Sequence, residues 1–195
     1  GNLTLEDGFI ASLNWKNKLL PTITQDENGQ VLMMAYSNKD SVRKTFETGK
    51  MWYFSRSRNA LWMKGETSTN TQEFMRARMD CDADTILATV KQHGVACHTG
   101  SYSCFGEQKF CLNELYDVLL DRIQNPKAGS YTATLTNELL NEKLAEESQE
   151  LIEAKTRDEI IWETADVLYF LTVLLARNNI KPGDVLFELR RRRKK

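Results

Sequence analysis

The chain has 195 residues, with 26 Lys and Arg against 27 Asp and Glu, a formal charge of −1; no global basic field exists to hold nucleic acid or anionic lipid. Hydrophobic residues at 41% and charged residues at 27% exclude a wholly disordered chain, and the longest apolar stretch, Ala165 to Ala176, falls short of the ~20 residues of a bilayer span. Gly1 to Gly8 lacks the basic-then-apolar pattern of a secretory signal, so the cytoplasm is the expected location, with room for a targeting segment removed ahead of Gly1.

The first predicted elements are a hairpin, Pro21–Thr24 and Val31–Tyr36, around Asp26-Glu27-Asn28-Gly29, because Asn-Gly readily takes positive φ. Asn38–Thr48 reads as a helix closed by Gly49. Met51–Ser55, Leu61–Lys64, Phe74–Met79 and Ile86–Lys91 are short strands. Between two of them, Arg56, Arg58, Lys64, Glu66, Thr67 and Ser68 form a polar stretch suited to a phosphate and a ribose, with Trp62 available to stack on a base.

Cysteines and aspartates then cluster. Asp80-Cys81-Asp82-Ala83-Asp84 is followed by Cys97-His98 and by Cys104. Spacings of 16 and 7 do not match the paired knuckles of structural zinc sites, whereas three protein ligands suit a catalytic zinc with one position left for water. His98 could move a proton or act as a fourth ligand. On an extended segment, Asp80, Asp82 and Asp84 share one face, with Cys81 on the other; oxygen donors suit Mg²⁺ and thiolates suit zinc. Cys111 lies outside these motifs and reads as a packing residue.

From about Leu112 the period becomes helical. Leu112–Ile123 stops at Asn125-Pro126; Leu135–Ala154 and Glu159–Arg177 are long helices, and Pro182 opens a last short one. Domains of 1–106 and 107–195 are expected, the first α+β with a small, mostly antiparallel, metal-binding sheet, the second all-α. Folding the two long helices antiparallel about Thr156-Arg157 sets Glu147 against Asp166 and Glu150 against Glu163. Four converging carboxylates repel unless cations join them, which suits Mg²⁺ and, through it, polyphosphate. Lys143, one turn before Glu147, can reach a phosphate. Glu159–Arg177 is apolar nearly all round and should be buried, between subunits if not within one. Arg190–Lys195 reads as a solvated helix end whose cations suit the dipole.

Two resemblances follow. Trp62, Lys64-Gly65-Glu66-Thr67-Ser68, Asp80-Cys81-Asp82-Ala83-Asp84, Ala96-Cys97-His98-Thr99-Gly100 and Ser103-Cys104-Phe105 resemble the signature blocks of phosphoribosyl-AMP cyclohydrolases, with Thr69 where many members carry Gly. The resemblance implies zinc on Cys81, Cys97 and Cys104, Mg²⁺ on Asp80, Asp82 and Asp84, and a homodimer whose zinc ligands come from both chains. Gly129-Ser130-Tyr131-Thr132, Lys143 to Glu150, and Glu163 to Tyr169 resemble phosphoribosyl-ATP pyrophosphatases of the all-α nucleotide pyrophosphohydrolase group. Ala145 stands where Gly is common, and Thr136–Glu142 is shorter than in many members.

Together these imply a bifunctional hydrolase of histidine biosynthesis acting on small nucleotides, with no nucleic-acid or membrane partner. Pyrophosphate would leave phosphoribosyl-ATP at Glu147, Glu150, Glu163 and Asp166. The adenine ring would then open at N1–C6, with His98 as the nearby acid. The competing expectations are a cyclohydrolase carrying an inactive helical dimerisation module, and a zinc-dependent nucleic-acid-binding module using Arg56, Arg58 and the basic tail.

Overall fold

A computed structural model describes residues 4–193; Gly1–Leu3, at the expected signal-free start, and Lys194 and Lys195, at the end of the basic tail, lie outside the described residues. The chain divides into two compact units between Lys109 and Phe110.

The first unit opens on a helix absent from the expectations above, α1 (Leu5–Ser12), whose Thr4 hydroxyl caps the Asp7 N–H. β1 (Leu20–Gln25) and β2 (Val31–Ser37) form the expected hairpin. Asp26 holds its turn by accepting the N–H groups of Asn28 and Gln30, both at 2.9 Å. α2 (Lys39–Thr48) follows, with Asn38 and Ser41 capping each other reciprocally. β3 (Trp52–Ser55), β4 (Ala60–Met63), β5 (Gln72–Met79) and β6 (Ile86–Gln92) complete one sheet of order β4-β3-β2-β1-β6-β5. Every pairing is antiparallel except β1 with β6. Just before β3, Gly49 O and Met51 N–H bond to Phe74 N–H and Gln72 O of β5, so the sheet curls towards closure as a half-barrel.

Apolar clusters fill the unit. Ile10, Leu13, Leu20, Val42 and Ile86 join α1 and α2 to the sheet, and Leu32, Met33, Met51, Tyr53 and Val90 form a second group. The buried Tyr53 hydroxyl lies 2.8 Å from Thr24 Oγ1 and donates to Gln72 Oε1 at 2.7 Å, which relieves the cost of burying a phenol.

Asn70 lies close against two glycines. Gly65 has φ +84, and a side chain there would meet the Asn70 carbonyl at 2.6 Å; at Gly94 a Cβ would run into the Asn70 carboxamide. Gly65→Ala is expected to cost about 2–4 kcal/mol, from the left-handed penalty plus a backbone clash. Urea unfolding checks this, and an unchanged midpoint would contradict it.

The second unit is helical: α3 (Leu112–Gln124), the single turn α4 (Tyr131–Thr134), α5 (Asn137–Glu153), α6 (Arg157–Arg177) and α7 (Pro182–Arg192). α5 starts two residues after the expected Leu135, because Thr136 caps it. Thr156 and Glu159 form a capping box that starts α6. At the far end of α6, Arg177 reaches back to Leu135 O and Asn137 Oδ1, so α5 and α6 run antiparallel. Leu119, Leu135, Leu140, Phe170 and Val173 form the core. The expectation that α6 is buried all round fails within one chain: Trp162 is 71% exposed, and Ile160 and Ile161 are also exposed. No helix among the described residues is long and apolar enough to cross a membrane.

Candidate active sites

Three of the four carboxylates of the helical unit converge, and Glu150 lies near enough to act on Glu147 and Glu163. One ligand oxygen each from Glu147, Glu163 and Asp166 lies within 4.8 Å of the others. Desolvation, then Asp166, then Glu150 raise the pKa of Glu147; desolvation, then Glu150, raise that of Glu163. The strongest charged neighbours are therefore the facing partners that the antiparallel register requires. Glu163 Oε2 is buried and has no hydrogen-bond partner. A bare carboxylate oxygen among like charges is costly, and the oxygen-only donor set fits Mg²⁺. Lys143 donates to Glu146 at 2.9 Å, at the edge of the cluster.

These raised values set a pH dependence. The folded unit binds more protons than the unfolded chain just above the usual carboxylate range, so stability falls as pH rises through that window. A bound divalent cation would remove the repulsion. Mg²⁺ is expected to raise the melting temperature more at about pH 7 than at about pH 5; equal increments by calorimetry would contradict binding at this cluster.

In the first unit, Asp80, Asp82 and Asp84 also bring ligand oxygens within 4.8 Å of one another, but not by alternation along a strand. The segment is a turn with Ala83 at φ +59. Asp80 Oδ1 accepts the N–H groups of Asp84 at 3.0 Å and Thr85 at 3.1 Å. Local side-chain bonding has won over extended geometry. The charges of Asp84 and then Asp80 raise the pKa of Asp82.

Cys97 and Cys104 are neighbours, each affecting the other's ionisation. The Thr99 hydroxyl, 3.0 Å from Cys97 Sγ, followed by the Thr99 N–H, lowers the Cys97 pKa. Burial, then Cys97, raises that of Cys104. Cys81 is not gathered with them among the described residues. It lies in the turn before β6 and they lie in the segment after it, and a seven-residue strand spans about 20 Å. The thiol pair fits a soft metal, and one chain leaves it short of the third thiol. His98 is exposed beside the pair.

The expected substrate-binding stretch divides. Arg56 stacks over Tyr36 at 4.0 Å, and with Trp62 they line an open cleft of 660 Å³. Trp62 also packs against Tyr53 at 5.0 Å, so it serves both core and cleft. Lys64 turns elsewhere: its Nζ donates to Ala96 O at 2.5 Å, beside Cys97. Its charge lowers both thiol pKa values as a minor cause. Arg58, Glu66, Thr67 and Ser68 are exposed and do not line that cleft. Sequence reasoning missed Tyr36 and Thr99; the two-residue spacing of Cys97 and Thr99 was the available signal for the second.

Residues 33–106 match the family described as phosphoribosyl-AMP cyclohydrolase, and residues 112–193 match that described as phosphoribosyl-ATP pyrophosphohydrolase. A protein of Pyrococcus furiosus named histidine biosynthesis bifunctional protein HisIE is 44% identical, covering 95% of this chain and 98% of its own. The protein of that name from Bacillus subtilis is 45% identical, covering 89% of this chain and 91% of its own. The histidine biosynthesis trifunctional protein of Saccharomyces cerevisiae is 41% identical over 86% of this chain, which corresponds to 21% of that longer protein.

Proposed function

The chain belongs to the bifunctional histidine-biosynthesis family that joins a phosphoribosyl-AMP cyclohydrolase to a phosphoribosyl-ATP pyrophosphohydrolase, and from that premise we propose how its own residues divide the two hydrolyses. The helical unit acts first, releasing pyrophosphate from phosphoribosyl-ATP. Glu147, Glu150, Glu163 and Asp166 would hold Mg²⁺, which when bound would offset phosphate charge. Water attacks phosphorus at the bridge between the α- and β-phosphates, that P–O bond breaks to release pyrophosphate, and a carboxylate oxygen of the cluster takes the proton. Lys143 leaves Glu146 to hold a phosphate oxygen.

The first unit then opens the ring. Cys97 and Cys104 of one chain and Cys81 of a second copy would hold zinc, which when bound would lower the pKa of a water towards neutrality. Arg56, Tyr36 and Trp62 hold the nucleotide in their cleft. Water adds to C6, the N1–C6 bond breaks, and His98 delivers a proton to N1. The N1-alkylated ring is already electron-poor, so a weakly basic nucleophile suffices. Asp80, Asp82 and Asp84 would hold a further Mg²⁺. The same reading places the enzyme in the cytoplasm.

The observation that carries this division is the separation of donor chemistry: oxygens alone around the orphaned Glu163 Oε2, and a thiol pair in the other unit. The test supplies each half with its own substrate. Pyrophosphate release from phosphoribosyl-ATP should need Mg²⁺ and survive a zinc-selective chelator, whereas ring opening of phosphoribosyl-AMP should be lost with zinc. Equal loss of both on zinc removal would overturn the assignment.

A homodimer accounts for two further features. Cys81 lies apart from the other thiols, and Trp162, Ile161, Leu186 and Phe187 face solvent in one chain, an apolar exposure that typifies interfaces. Light scattering is expected to give a mass near twice 22.5 kDa; a stable, fully active monomer would contradict the shared site.

A further inference from the structure

The helical unit has a second feature that the carboxylate cluster does not use. A cleft of 770 Å³ lies between α3, the 127–132 loop and Tyr169 of α6, a volume typical of small-molecule sites. Tyr169 sits three residues after Asp166, one turn along the same helix face. The cleft therefore begins about 5 Å along α6 from the cluster. The Thr132 hydroxyl, itself buried, lies 2.6 Å from the Tyr169 hydroxyl and ties the loop to α6.

The cleft wall carries two kinds of chemistry. Arg122 and Lys127 line it, and neither is ion-paired among the described residues. Together with the nearby Ser130 hydroxyl they suit a phosphate dianion. Asp117 lines the same wall and can only accept hydrogen bonds, which suits hydroxyl groups. Asp121 is already engaged by the Asn125 carboxamide at 2.9 Å. A ligand satisfying both needs carries a phosphate and free hydroxyls on one short frame.

We propose that this cleft binds the ribosyl-phosphate end of the substrate, with Arg122 and Lys127 on the phosphate and Asp117 on the ribose hydroxyls, while the triphosphate lies on the carboxylate cluster. The inference rests on the pyrophosphate-release reading above and adds what distinguishes the substrate from plain ATP. The two ends of the molecule differ in charge and hydroxyl content, and the neighbouring sites differ in the matching sense.

The test follows initial rates of pyrophosphate release by the full chain in Mg²⁺. It measures KM for phosphoribosyl-ATP and the inhibition constant of ATP, which lacks the ribosyl phosphate. Lys127→Ala and Arg122→Ala should each raise KM for phosphoribosyl-ATP at least about tenfold, the usual loss for a charged hydrogen bond. The ATP constant should move less than about threefold, and Arg122→Lys should recover part of the loss. Both side chains are exposed, so folding should survive, and thermal melting verifies it. Parallel rises in both constants, or a change in neither, would overturn the cleft assignment while leaving pyrophosphate release standing. A wild-type chain that releases no pyrophosphate would remove both readings.

Discussion

Glu163→Gln is expected to lower pyrophosphate release by about 10²–10³-fold and to leave ring opening of supplied phosphoribosyl-AMP intact. The substitution keeps the shape of the side chain and removes one negative charge from a cluster that needs it only when a cation is present. In the chain without Mg²⁺, that charge is a liability: desolvation and the facing Glu150 already raise the Glu163 pKa, and its Oε2 has no partner. The variant should therefore melt at a higher temperature than the parent when Mg²⁺ is absent, and should gain less from Mg²⁺. Loss of activity with unchanged or raised stability separates lost chemistry from lost folding, as expected where function stores unfavourable charge. A variant that releases pyrophosphate at the parent rate would contradict the role of the cluster.

The second large effect concerns the thiols. Cys97→Ser should abolish ring opening while pyrophosphate release continues, because the serine hydroxyl is a hard donor that does not replace a thiolate on zinc. Cys81→Ser should do the same, although Cys81 lies in a turn at the other end of β6 from the Cys97–Cys104 pair. Mixing decides between a shared site and a distant structural effect. In a two-fold dimer, a mixed pair of the two variants rebuilds one intact site from the unmutated Cys81 of one chain and the unmutated Cys97 of the other. Random exchange makes half the dimers mixed, so about one quarter of parental ring opening should return. Each variant alone stays inactive. No recovery after verified exchange would contradict zinc held between chains.

Much of this architecture was legible in the sequence where one physical rule dominated. Asn28-Gly29 located the β1–β2 hairpin, and Asn38 and Gly49 bounded α2, because turn and cap chemistry is local. Helical spacing brought Glu147 to Asp166 and Glu150 to Glu163 through the antiparallel register of α5 and α6. α1 escapes the sequence pattern because its helical stretch is only eight residues long, although Thr4 and Asp7 carry the capping signal. Alternation predicts an extended Asp80–Asp84 segment, whereas Asp80 folds it into a turn through its own side chain; the carboxylates still meet, by a different route. Lys64 bonds Ala96 O in this structure, a long-range contact that spacing cannot foresee. The exposed face around Trp162 shows the same limit: apolarity marks a helix for burial without saying what covers it.

The most direct test of the central claim is one vessel containing the purified chain, Zn²⁺, Mg²⁺ and phosphoribosyl-ATP, with pyrophosphate, phosphoribosyl-AMP and the ring-opened nucleotide followed separately. Two consecutive hydrolyses on one chain predict that phosphoribosyl-AMP rises and decays between the other two, and that one pyrophosphate has been released for each ring opened. Ring-opened product that still carries its triphosphate, or pyrophosphate release with no ring opening at any time, would contradict it.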